Sequence, residues 1–222
     1  MPIDNTEFLN RQKRLLQEMQ PNSICLVPAS TIVTRSRDTD YPFRQDSYFQ
    51  YLCGFPEPDA WLVLSNHPDN SKDLCVLFCL DKDPAMEIWH GRRFGPKQAK
   101  QKYAVNMTFA IDELDEQLLD LVSGHQHLYF AQGHSDEADA LVFSLLQALR
   151  SAPKQSKNAP SSLIDVRVIL DEMRLIKSAS EIDMMRQAAA VATQAHIRAM
   201  QFVEAGKNEY LILSEKQTSP TL

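Results

Sequence analysis

Short apolar runs alternate with longer stretches of helical spacing along most of this chain, and this alternation restricts the fold more than any other feature. The runs are "SICLVPAS" at 23–30, "AWLVLSN" at 60–66, "LCVLFCL" at 74–80 and "HLYFAQ" at 127–132. Each has the length of a buried strand, and polar turn clusters such as "HPDNSKD" and "DKDP" bound them. Between and around them lie segments that read as helices. One covers roughly 6–19 and stops near Pro21; a short one, "QAKQKYA", follows the third run. "TFAIDELDEQLLDLVSG" ends at Gly124, and "SDEADALVFSLLQALRSA" is long and amphipathic. Strands alternating with helices predict an α/β layered sheet.

Charge and apolar content narrow the class further. The 222 residues carry a net charge of -6, and no concentrated basic run exists, so nucleic acid is excluded as the main partner. No apolar run approaches the length of a membrane span, which excludes a membrane partner of that kind. The first residues form a charged amphipathic helix rather than a secretory signal, so the expected compartment is the cytoplasm. Cys25, Cys53, Cys75 and Cys79 make no C-x-x-C and lie in or beside apolar runs. They read as buried structural thiols rather than zinc ligands.

Composition shifts at "SAPKQSKNAPSS", residues 151–162, which reads as a linker or surface loop. The domain division is accordingly 1–158 for the α/β part and 159–222 for the remainder. The second part holds a connecting strand and turn, then a strong helix capped by Ser178 or Ser180 and closed at Gly206. That helix has an apolar face, through Ile182, Met185, Ala189 and Phe202, and "KNEYLILSEKQTSPTL" shows no clear continuation that could cover it. Self-association is the expected consequence.

Two stretches stand apart from this pattern. "TRSRDTDYPFRQDSYFQYLCGF", residues 34–55, interleaves Arg35, Asp38, Asp40 and Arg44 with Tyr41, Phe43, Tyr48, Phe49 and Tyr51. It reads either as a loop whose charges pair locally, or as a rim that meets a ligand or second domain, where Tyr and Arg are favoured. "EIWHGRRFG", residues 87–95, reads either as a hairpin anchored in the core by Trp89, or as a turn that presents Trp89 beside Arg92 and Arg93. His125, His127 and His134 lack the convergent partners of a metal site. No nucleophile elbow, dinucleotide fingerprint or P-loop occurs.

Together with "AQG" and "EMRLIKSASEIDMMRQAA", these two stretches closely resemble the N-terminal half of bacterial aminopeptidase P, within the creatinase and prolidase superfamily. The resemblance runs nearly colinearly from about residue 5 to about residue 210. It implies a mixed β-sheet flanked by helices, creatinase N-terminal-like and ribonuclease H-like in arrangement, followed by the first helix of a pita-bread domain. In the family two Asp, one His and two Glu of that second domain hold two manganese ions, which release the N-terminal residue from Xaa-Pro peptides. All of those ligands lie beyond the first pita-bread helix, so the resemblance implies that this chain carries no metal, is truncated and is inactive alone. It further implies that Asp38 and Trp89 approach the active-site mouth, Trp89 from a neighbouring subunit, with Tyr41 and Arg44 as further rim residues. The expected partners are a second copy of the chain, the missing catalytic half and, in the complete enzyme, proline-containing peptides. The alternative is a stand-alone peptide-binding or oligomerisation module of the same fold.

Overall fold

The computed structural model describes residues 3–68, 74–151 and 157–217. The end of the "HPDNSKD" turn, the middle of the 151–162 linker and the last residues of the tail lie outside them. By internal contacts the chain divides into Asp4–Met173 and a unit that begins at Arg174.

Six strands form one mixed sheet in the order β6-β5-β4-β1-β7-β8. They are β1 (Ser23–Pro28), β4 (Trp61–Ser65), β5 (Leu74–Cys79), β6 (Met107–Ala110), β7 (His127–Phe130) and β8 (Ser162–Asp165). β4 runs antiparallel to both neighbours, whereas β1, β7 and β8 run parallel, as do β5 and β6. Alternation along the strands loads both faces. Cys25, Val27, Leu62, Leu64, Leu77 and Cys79 point to one core, and Ile24, Leu26, Val63, Val76 and Phe78 to the other. Such two-sided burial explains why these runs are continuously apolar.

The first core is closed by α1 (Asn5–Glu18), α2 (Ser47–Cys53), α4 (Gly95–Lys102) and α7 (Arg167–Leu175), through Leu15, Phe49, Ala99 and Leu170. The second is closed by α5 (Leu114–Val122) and α6 (Asp136–Ser151), through Leu118, Val142 and Leu146. All four cysteines are free and buried in the first core. Helix α1 also buries polar groups. Gln12 Nε2 donates to the carbonyls of Leu52 and Ala104, at 2.9 and 3.0 Å, and Arg11 pairs with Glu7 while donating to the Tyr51 carbonyl. Next to these bonds α2 ends at Gly54, whose φ is 65°. A Cβ there would lie 2.4 Å from the Phe8 ring, so the close approach of α1 requires glycine.

Several segments differ from their sequence reading. Residues 34–40 form a two-stranded hairpin, β2 (Thr34–Ser36) with β3 (Thr39–Asp40), exposed on both faces and therefore without alternation. "PAMEIWH" is helix α3 (Pro84–His90), not a hairpin: Asp83 accepts from the amides of Ala85 and Met86, and Pro84 supplies the first helical residue. β6 is an edge strand within a segment that reads as helix. The β-branched "RVIL" opens α7, where helical spacing buries Leu170 and Met173.

In the unit from Arg174, α8 (Ala179–Phe202) is opened by Ser178, which accepts from the Glu181 amide in a capping box. The helix ends at Val203 rather than Gly206. A further helix, α9 (Glu209–Gln217), packs against α8, with Arg198 paired to Glu215. A partner segment for α8 therefore exists where no continuation is legible.

One buried polar pair makes the sheet domain sensitive to acid. His125, 6% exposed, shares a 2.7 Å hydrogen bond with Ser65 Oγ. Burial first, and then neighbouring His67, lower its pKa from 6.5 to about 4. A lowered histidine pKa means that the unfolded chain takes up the proton first. The stabilisation is complete above pH 6.5 and is lost as pH falls towards 4, by roughly 3 kcal/mol at most. Urea unfolding at a series of pH values should show this slope in the native protein and its loss in His125→Asn. Equal slopes in the two proteins would rule out His125 as the source.

Candidate functional site

The hairpin and the loop that follows it leave the sheet at the carboxyl end of β1. Arg37, at the hairpin turn, takes a φ of 46°, a left-handed conformation that side chains disfavour. The turn carries Asp38 into solvent. The chain then runs through Tyr41, Pro42, Phe43 and Arg44, all exposed, and re-enters the domain at Gln45 and Asp46. Asp46 caps α2 by accepting from the amides of Tyr48 and Phe49, each at 2.9 Å. Its second oxygen meets His134 Nε2 at 2.8 Å, which ties the loop after β7 to the start of α2.

Between these loops lies a groove of about 600 Å³. Tyr41, Phe43 and Trp61 are among its apolar lining, and Arg44, Asp59 and Glu137 among its charged lining. It sits outside the carboxyl ends of the parallel strands β1 and β7, the usual position for ligand crevices in open α/β sheets. Asp59 is held above the usual carboxylate range by burial first, then by the like charge of Glu137, with Arg93 opposing. An apolar groove with carboxylates on its wall can bind and orient a ligand. Tyr41 and Arg44 are brought together here; Asp38 and Trp89 do not line it.

Trp89 lies on α3, a helix with no buried residue. It is 81% exposed and Ile88 is 79% exposed, so Trp89 is not a core anchor. The arm is held at its ends, by the Asp83 cap before it and by two carboxylates after it. Glu87 Oε1 accepts from the Arg93 amide at 3.2 Å, and Glu57 Oε1 accepts from the Phe94 amide at 2.6 Å.

Gln45 and Glu57 are the residues that sequence reasoning passed over. Glu57 stands between Pro56 and Pro58, a pattern that restricts the backbone around it and could have marked it. Nothing in the sequence pairs Gln45 with it.

The described residues assemble no group of three or more His, Cys, Asp or Glu that could hold a metal ion. His127 is bonded to Ser162 Oγ, and His134 to Asp46. The Ser65–His125 pair lies out of reach of a substrate, since Ser65 is 1% exposed. These residues thus do not fit a dinuclear metal centre, and no hydrolytic step is assigned to them. No helix among the described residues is long and apolar enough to cross a membrane.

Residues 8–129 match the family model described as aminopeptidase P, N-terminal domain. The chain belongs to this family. The Xaa-Pro aminopeptidase of Escherichia coli (strain K12) is 41% identical over 213 residues, covering 96% of this chain and 48% of that protein. The Xaa-Pro aminopeptidase of Haemophilus influenzae is 37% identical, with 96% of this chain and 46% of that protein covered. Among solved structures, E. coli aminopeptidase P in a low pH form superposes with a TM-score of 0.92 over 97% of this chain and 49% of that one. Proline aminopeptidase P II from Yersinia pestis also gives 0.92, at 41% identity, over 96% of this chain and 49% of that one. This aminopeptidase P N-terminal domain chain thus spans about half the length of the curated relatives it matches.

The exposure of Trp89 sets a stability expectation for the aminopeptidase P N-terminal domain. Trp89→Ala should change the unfolding free energy by less than about 1 kcal/mol, as surface substitutions do. Loss of a buried tryptophan would cost about 3–5 kcal/mol. Chemical denaturation decides between the two, and a cost in the larger range would mean that α3 packs more tightly than its exposure indicates.

Proposed function

We propose that these residues form the N-terminal part of a proline-specific metalloaminopeptidase and supply the mouth of its active site rather than its bond-breaking groups. Support comes chiefly from two projecting segments, the rim loop with Tyr41 and Phe43 and the arm with Trp89, whose large side chains the sheet domain leaves exposed. Aromatic and arginine side chains on such segments suit a surface that is desolvated against a partner. The relatives' names add the reaction: removal of an N-terminal residue that precedes proline.

In this reading Asp38, Tyr41 and Arg44 border the substrate mouth, and Trp89 reaches the mouth of a neighbouring subunit. The two manganese ions would be held by a companion metal-binding domain rather than by these residues, and would supply Lewis-acid chemistry and an activated water there. The two units correspond to the mouth-forming domain and the first helices of the metallopeptidase domain. The proposed compartment is the cytoplasm. The groove beside Tyr41 favours one second reading, a peptide-binding module that acts without hydrolysis.

Oligomerisation belongs to the same proposal. Ile182, Met184 and Met185 are exposed on α8, and Met200 is 66% exposed. Sedimentation should show a concentration-dependent assembly that Met185→Glu weakens. An assembly untouched by that change would place the contact elsewhere.

The activity test has two arms. The 222-residue chain, supplied with manganese, should leave Xaa-Pro peptides uncut. Joined to a metallopeptidase domain that restores hydrolysis, it should lose about tenfold or more in kcat/KM on Trp89→Ala, with folding unchanged. Activity of the chain alone, or full turnover in the Trp89 variant, would overturn the proposal.

A further inference from the structure

The rim loop and the Trp89 arm come from distant parts of the sequence, yet their roots converge on two polar side chains. Gln45 uses its whole amide. Oε1 accepts from the backbone amides of Ser30 and Asp46, both at 2.9 Å, and Nε2 donates to the carbonyls of Phe55 and Glu57, at 3.1 and 2.9 Å. One side chain therefore pins the end of β1, the root of the rim loop and the "FPEP" segment. Glu57, at the centre of that segment, continues the chain of bonds through its 2.6 Å contact with the Phe94 amide.

Glu57 is an unusual residue to find there. Its side chain is 9% exposed, and its Oε2 is buried with no hydrogen-bond partner among the described residues. A buried carboxyl with one oxygen unmatched is costly, and a neutral side chain would serve plain packing better. Pro56 and Pro58 stiffen the backbone on either side, so a displacement of the Glu57 backbone carries its carboxyl with it. The Phe94 ring packs against Phe55 of the same pinned segment at 6.1 Å, and against Tyr103 at 5.4 Å. The ring contacts fix where Phe94 sits; the Glu57 bond fixes the direction in which its backbone leads into Arg93 and α3.

We propose that Gln45 and Glu57 are positioning residues that couple the rim loop to the Trp89 arm, so that one hydrogen-bonded relay sets the orientation of both. The relay runs from the Asp46 amide through the Gln45 amide to the Glu57 carbonyl, and from the Glu57 carboxyl to the Phe94 amide. Its significance for substrate rests on the reading of these two segments as parts of active-site mouths. The coupling itself can be tested whether or not that reading holds. Burial raises the Glu57 pKa, and the Phe94 amide, Arg93 and Lys82 oppose the rise while Glu87 adds to it.

Amide hydrogen exchange followed by NMR on the 222-residue chain tests the relay. Gln45→Glu keeps the oxygen that serves Ser30 and Asp46 but removes the Nε2 donor. The Phe94 amide, which Gln45 does not touch, should then exchange at least about tenfold faster, while Leu26 and Val63 in the sheet keep their protection. Glu57→Gln retains an oxygen acceptor for Phe94 and should hold its exchange near the native rate, whereas Glu57→Leu should release it. Gln45→Met removes the donor and the acceptor together without adding charge and should repeat the Phe94 effect. Unchanged Phe94 exchange in both Gln45 variants would overturn the proposal, leaving two independent local anchors. So would equal loss of protection at Leu26 and Val63, because Gln45 would then be a global stabiliser. Failure of Glu57→Gln to preserve the native rate would also count against it.

Discussion

Central strand β1 is the constraint on which the rest of this structure depends. It is bonded on one edge to antiparallel β4 and on the other to parallel β7, and Ile24, Cys25 and Leu26 are fully buried. Odd and even positions feed opposite cores, so a shift of one residue would exchange the two sets of contacts at once. The helices on either side, α2 through Phe49 and α5 through Leu118, take their positions from that register. The loops at its carboxyl end inherit the same fixed origin. The groove and the hairpin begin within a few residues of Pro28, and the rim loop continues from the hairpin.

Beyond the strands, side chains take over as the connectors. Asp46 caps one helix and holds His134; Asn66 accepts from the Ser23 amide and donates to the Leu16 and Gln20 carbonyls. Gln12 and Gln45 each satisfy carbonyls that no strand or helix can reach. A buried loop carbonyl left unpaired is costly, so these amides permit irregular segments to lie against a tightly packed core. The consequence for function is order without regular structure. Tyr41, Arg44 and Trp89 project from segments with little core of their own, and polar bonds at the roots hold them.

Elements with a buried face were legible from residue pattern, and elements without one were not. β1, β4, β5 and β7 are continuous apolar runs because both of their faces are covered. α3 has no buried residue, so no periodicity betrays it; only Asp83 and Pro84 mark its start. The β2–β3 hairpin is exposed throughout. In α7, β-branched residues argue locally for a strand, and burial of Leu170 and Met173 overrides them. α9 carries little amphipathic signal, and its contact with α8 is what gives it a place.

By itself, the sequence determined the layered α/β class, the buried thiols, a strong helix cap at Ser178 or Ser180 and, through its aromatic-charged wording, the family. Composition and period sufficed because burial imposes them on every residue of a strand or helix. Tertiary structure alone decided that β4 runs against its neighbours, that Trp89 stands in solvent, and that Gln45 and Glu57 meet. Those outcomes depend on loops 10 and more residues apart closing on one another. A hydrogen bond between such loops leaves no periodic trace, because it constrains one atom of each residue rather than the face of an element.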